Sequence, residues 1–270
     1  MLKCIGFRQA IELIASDFGL FIHICVTSVL NFLFQLFCNN KLYQHKIVVI
    51  GDQFGVGCGD SLLSNGFTGL CNHLWKLINK SEVLRQNWVM FNCAEFESRS
   101  EDWLPGSEKM LFEGVFENRK FSNCEIVIIM LGVQDGSLFF MGERTQSPDK
   151  TAGNIVKIAE ALEKMGKTVC VSYVPNPDSW EMKQHNNISQ SYEHSTNQYI
   201  EKLLGKEKRK SLILGPHCDI SNYEYFRSDF YDPERPMFNK KGYGFLCSEF
   251  FEILRPTLVR TEFESLLGSK

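Results

Sequence analysis

The stretch Lys46–Ser61, KIVVIGDQFGVGCGDS, runs an apolar strand pattern straight into a glycine-rich turn. Many hydrolases place a nucleophilic serine directly after such a strand and its Gly-Asp pair. Here the next residue is Gln53, which has neither hydroxyl nor thiol, and an amide nitrogen is a poor nucleophile. Three other groups have the right type for acyl transfer. Ser61 closes a second Gly-Asp-Ser, although its place eight residues past Gln53 also suits a helix cap. Cys58 offers a thiol, with no neighbour in sequence that would lower its pKa. His217, in LGPHCD, offers an imidazole base. Near the C-terminus, Asp232 and Arg235 stand in DPERP. A guanidinium accepts no proton, so Arg235 suits an ion pair with Asp232, a hydrogen bond to Gln53, or the grip of a carboxylate or phosphate ligand.

Other chemistries find little support. Gly55-Val56-Gly57 is out of register for a dinucleotide fingerprint, and no phosphate-binding G-x-x-x-x-G-K-[ST] occurs. None of the ten cysteines forms a CxxC pair, so we expect no metal and no cofactor, and the scattered thiols read as buried and free. The formal charge of −3 and the absence of a nucleic-acid motif argue against a nucleic-acid partner. The basic run KEKRK reads as a solvated helix end.

The elements that must position these groups alternate. Apolar strands are read at 46–50, 88–92, 125–132, 168–174 and 211–215. Helices are read at 61–79, 107–118 with Ser107 as N-cap, 151–166, 197–205 and 241–255. Five apolar strands separated by helices imply an α/β fold, a flavodoxin-like three-layer α/β/α sandwich on a five-stranded parallel sheet. Ligands in such folds bind at the carboxyl ends of the strands. That edge carries Gly51-Asp52-Gln53, Asn92 and Gly132-Val133-Gln134-Asp135.

The first forty residues follow other rules. Phe18–Cys38 contains no charged residue and, at about 1.5 Å per residue, is long enough for a hydrocarbon core about 30 Å thick. We read an N-terminal segment 1–17, a transmembrane helix 18–38, a linker 39–45, the α/β domain 46–256 and a tail 257–270. His23, Thr27, Asn31 and Gln35 recur every fourth residue and form a polar stripe suited to packing against other membrane subunits rather than lipid. Flanking charges give no orientation.

The edge residues resemble the SGNH, or GDSL-type, hydrolase superfamily over about Lys46 to Leu254. In that family a first block Gly-Asp-Ser carries the nucleophile, and a later Gly-x-Asn-Asp helps build the oxyanion hole. A C-terminal Asp-x-x-His-Pro supplies the base and its orienting aspartate. Here those blocks read Gly51-Asp52-Gln53, Gly132-Val133-Gln134-Asp135 and Asp232-Pro233-Glu234-Arg235-Pro236. A further block keeps Asn92 but has Ala94 where glycine is usual. The substitutions fall on nucleophile, oxyanion donor and base. They lead to the expectation that the chain is not an enzyme but an inactive SGNH-like accessory subunit of a membrane complex, with the mitochondrial inner membrane first among locations and the endomembrane system second. The alternatives are a membrane-anchored esterase or lipid hydrolase with non-standard residues, its site rebuilt from Ser61, Cys58 and His217, or a binding protein that uses Arg235 and Asn92 to hold a lipid or acidic ligand.

Overall fold

The computed structural model describes residues 45–60, 69–136, 146–175, 192–205, 209–218, 227–232 and 237–267. The span read at 18–38, with His23, Thr27, Asn31 and Gln35, lies outside them, as do Ser61 and Arg235. No described helix is long and apolar enough to cross a membrane.

The sheet is built from β1 (His45–Gly51), β2 (Trp88–Asn92), β3 (Ile126–Met130), β4 (Thr168–Val171) and β5 (Leu212–Leu214), all parallel, in the order β2-β1-β3-β4-β5. Parallel strands covered on both faces need apolar side chains at every position, not at alternate ones. Ile47 to Ile50 and Ile126 to Ile129 are accordingly all fully buried. β1 sits between β2 and β3, with Ile47 opposite both Met90 and Ile126.

Around the sheet lie α1 (Gln53–Val56), α2 (Gly69–Lys80), α3 (Leu111–Phe116), α4 (Val133–Gly136), α5 (Pro148–Lys164), α6 (Tyr192–Leu204) and α7 (Lys240–Leu266). The long helices pack as two pairs, α2 against α7 and α5 against α6. Three helices depart from the sequence reading by four residues or more at a described end, α6 by starting at Tyr192 rather than at 197. The one expected from Ser107 starts at Leu111, because Ser107 Oγ donates to the Asp102 carbonyl and Met110 takes a left-handed conformation before it. The last helix, expected to stop at 255, runs through Pro256 to Leu266. Its continuation buries Leu258, Thr261 and Glu262, so packing outweighs the hydrogen bond that proline removes.

The amino edge of the sheet is closed by α7. The buried Glu262 carboxylate accepts from Arg85 N (2.8 Å), Gln86 N (3.0 Å) and Trp88 Nε1 (2.9 Å). Gln86 Nε2 donates to the Glu262 carbonyl and to Ser265 Oγ, while Gln86 Oε1 meets His45 Nε2 at 2.8 Å. His45 stacks on Trp88, with its Nδ1 3.2 Å from Glu125 Oε1. The point where the chain enters β1 is thereby tied to the end of α7.

Candidate functional site

At the carboxyl edge β1 ends at Gly51, where an added Cβ would lie 2.2 Å from the Met130 carbonyl oxygen, so only glycine allows this approach to β3. Asp52 follows, completely buried. Its Oδ1 accepts from Phe54 N at 3.1 Å, capping α1, and its Oδ2 accepts from Gly132 N (3.1 Å) and Val133 N (3.0 Å) beyond β3. One carboxylate thus staples two strand ends together. Burial pushes its pKa up to about 7, against the pull of those N–H groups and with a further push from the Asp135 charge.

Gln53 is buried beside it. Its Nε2 donates to Gln134 Oε1 at 2.8 Å, and its Oε1 has no partner among the described residues. The sequence readings of Gln53 and Gln134 are therefore brought together, as an amide pair. Asn92 turns its Nδ2 to the carbonyls of Gly55 and Val56, both at 3.1 Å, and its Oδ1 accepts from Ala94 N at 3.1 Å. Both N–H groups of that amide brace α1, and Ala94 packs against Gly55. Asp135, which burial raises above the usual carboxylate range, accepts from the backbone and hydroxyl of Ser100, and Asn154 donates to that hydroxyl at 3.0 Å.

The other expected residues are scattered. Cys58 is fully buried against Val56 and Met237, and the Tyr243 hydroxyl lies 3.1 Å from its carbonyl. His217 lies past β5, stacked on Tyr173 with ring centroids 4.0 Å apart and its Nε2 3.5 Å from Glu201 Oε1. It belongs to the far end of the sheet from β1. Asp232 sits beside the bridge between Tyr231 and Phe238, its backbone N–H donating to the Met237 carbonyl. Among the described residues no group of three or more His, Cys, Asp or Glu side chains has the geometry of a metal site. None of the seven described cysteines forms a disulfide, and burial pushes thiols such as Cys170 up to about 12, far from thiolate character.

One pair escaped the sequence reading. Where α1 ends, Gly57 is left-handed (φ 96°), and Gly69 at the start of α2 comes so close that a Cβ there would fall 2.2 Å from the Gly57 Cα. This contact sets Asp60 under the first turns of α2. Asp60 Oδ2 accepts from Gly69 N at 3.0 Å and lies 3.0 Å from His73 Nε2. The Asp60 side chain is fully buried, whereas that of His73 is 17% exposed. With Nε2–H directed at the Asp60 carboxylate, a neutral His73 ring has its lone pair on Nδ1. The signal was present: a second Gly-Asp-Ser turn, then a histidine in the second turn of the next helix.

No protein-family model and no curated relative matches the sequence. Solved structures do match. One is an acetylxylan esterase from Geobacillus stearothermophilus, with TM-score 0.56, 14% identity, and coverage of 80% of this chain and 96% of the other. Another is the psychrotrophic esterase EstA from Pseudoalteromonas, in a structure inhibited by monoethylphosphonate, with TM-score 0.53, 16% identity and coverage of 80% and 99%. A third, described as lipolytic and of the G-D-S-L family, comes from Desulfitobacterium hafniense, with TM-score 0.52, 14% identity and coverage of 78% and 100%. The chain has the SGNH-type hydrolase fold. These neighbours, esterases and lipolytic proteins, overturn the expectation that the chain is not an enzyme. That expectation rests on Gln53, Gln134 and Arg235, whose identities close one catalytic route. Asp60 and His73 lie outside that set.

Proposed function

Proceeding from an SGNH-type hydrolase fold, we propose that the chain is a membrane-anchored acyl-ester hydrolase whose chemistry does not run through residue 53. The strand order 2-1-3-4-5 and the two helix pairs support the finer architecture, a flavodoxin-like three-layer sandwich. The uncharged span 18–38 supports the anchor.

The observation that carries the catalytic reading is the His73–Asp60 pair. A buried carboxylate that orients an imidazole, with the second ring nitrogen left basic, is the arrangement that takes a proton from an attacking hydroxyl. His73 Nδ1 removes that proton as the new C–O bond forms on the acyl carbon. It returns the proton to the alkoxide as the ester C–O bond breaks, and water balances the reaction to acid and alcohol. The attacking hydroxyl is water or Ser61, the residue that follows Asp60 in sequence.

The test is hydrolysis of p-nitrophenyl acetate and butyrate by the full chain in mild detergent. A general base contributes roughly 10²–10⁴-fold, so His73→Gln is expected to lower turnover at least about 100-fold without moving Tm. A phosphonate adduct mapped to Ser61 would make the route covalent, and turnover without an adduct would make water the nucleophile. Wild-type turnover no faster than buffer would overturn the reading.

A further inference from the structure

The last turns of α7 leave an apolar stripe without a partner among the described residues. Val259, Phe263, Leu266 and Leu267 are 38%, 61%, 75% and 66% exposed. At 100° per residue they fall within one face about 100° wide, turned away from the buried Leu258 and Thr261 and flanked by Glu262. Val83, 56% exposed, lies two residues before Arg85, whose backbone N–H bonds Glu262. Large exposed apolar side chains concentrated at one pole mark a contact surface.

We propose that this pole of the domain rests on a lipid bilayer, with Phe263, Leu266 and Leu267 seated at the headgroup boundary. Two observations choose lipid. First, the uncharged segment Phe18–Cys38 rejoins the domain at His45 after only six residues, 39–44, which span at most about 20 Å. His45 is one hydrogen bond from Gln86, and Gln86 is one from Ser265, so the chain that follows this segment enters the domain at the pole that carries the stripe. Second, the stripe from residue 259 to 267 is only about 12 Å long at 1.5 Å per residue. A helix formed by Phe18–Cys38 would be about 30 Å long, too long for this stripe to cover.

The proposal rests on the anchored part of the function proposed above and adds a substrate class to it. The strands run from this pole to Gly51 and Asn92, so His73 and Asp60 sit at the end facing away from the bilayer. The substrate is therefore a water-borne acyl ester, not a lipid of the membrane that holds the chain.

The experiment uses the full chain carrying Phe263→Trp, reconstituted into phosphatidylcholine vesicles with and without dibrominated phosphatidylcholine. The emission added over wild type is expected to fall at least twofold with brominated lipid and to be protected from aqueous iodide. Leu266→Trp, at the more exposed position, repeats the test should the first variant fold poorly. Quenching by iodide without quenching by brominated lipid would overturn the proposal. Protection from both would overturn it too, placing the 18–38 segment or a second copy on the stripe. A carbonate wash reads the anchor separately, since release from vesicles counts against anchoring, while bromolipid quenching on added vesicles still decides the surface.

Discussion

Each pole of the sheet holds one buried carboxylate that receives three N–H groups, and the two do different work. At the carboxyl edge Asp52 joins Phe54, Gly132 and Val133, binding the ends of two adjacent strands. At the amino edge Glu262 joins Arg85, Gln86 and Trp88, binding the last helix to the loop before β2. Asp52 is deeply buried, with the Asp135 carboxylate near enough to oppose its charge, and its pKa rises to about 7. The lesson is that three donors do not by themselves hold a carboxylate ionised, because desolvation and a like charge can outweigh them. The pole that carries the proposed Asp60–His73 pair is thus also the pole where burial raises a scaffold carboxylate toward neutrality.

The largest expected effect breaks that contrast at Asp52. The shift from 3.8 to about 7 makes the folded state hold a proton that the unfolded state has released. Its stabilising contribution is complete below pH 3.8, falls as pH rises toward 7 and is level beyond. A shift of about three units corresponds to roughly 4 kcal/mol. Asp52→Asn removes the titration, so its deficit relative to wild type should shrink by about that much between pH 4 and pH 8. Urea unfolding across that range measures it, and a deficit independent of pH would show that Asp52 does not titrate there.

At the other pole, Glu262→Ala would leave the Arg85 and Gln86 backbone N–H groups and Trp88 Nε1 without their acceptor. Each buried donor left unsatisfied costs about 1–3 kcal/mol, and water entering the gap recovers part of that, so the net loss is about 3 kcal/mol. The urea midpoint should fall accordingly. A loss below about 1 kcal/mol would mean that packing and the Gln86 bonds to the Glu262 carbonyl and Ser265 hold the loop to α7 without the carboxylate.

The two poles were unequally legible in the sequence. The sheet was readable because strands buried on both faces, such as Ile47–Ile50 and Ile126–Ile129, have no polar interruptions. The carboxyl-edge residues Asp52, Gln53 and Gln134 were readable because strand ends in a parallel sheet share one edge. His73 was not, because helical periodicity scores it only as a polar position and its partner Asp60 lies thirteen residues earlier, across a turn. The full length of α7 was missed because Pro256 is a stop signal locally, and only the burial of Leu258 and Glu262 shows why the helix continues. Ser107 was misread because its hydroxyl serves the Asp102 carbonyl, a contact that no cap pattern records.

The smallest expected effect sharpens the comparison within the reactive pole itself. Gln53→Ser places a hydroxyl where the family carries its nucleophile. It removes the 2.8 Å amide bond to Gln134, at a cost of about 1 kcal/mol, and the lost Oε1 was already unpartnered among the described residues. A serine becomes a nucleophile only with a base in reach, and the block Asp232–Pro236 has arginine where the family has histidine. Turnover should therefore stay within about twofold of wild type, and no phosphonate adduct should form at residue 53, because the proposed route moves its protons through His73. A rise of more than about tenfold, with an adduct on the new serine, would show that a base reaches position 53. It would move the chemistry back to the end of β1 and away from Asp60 and His73.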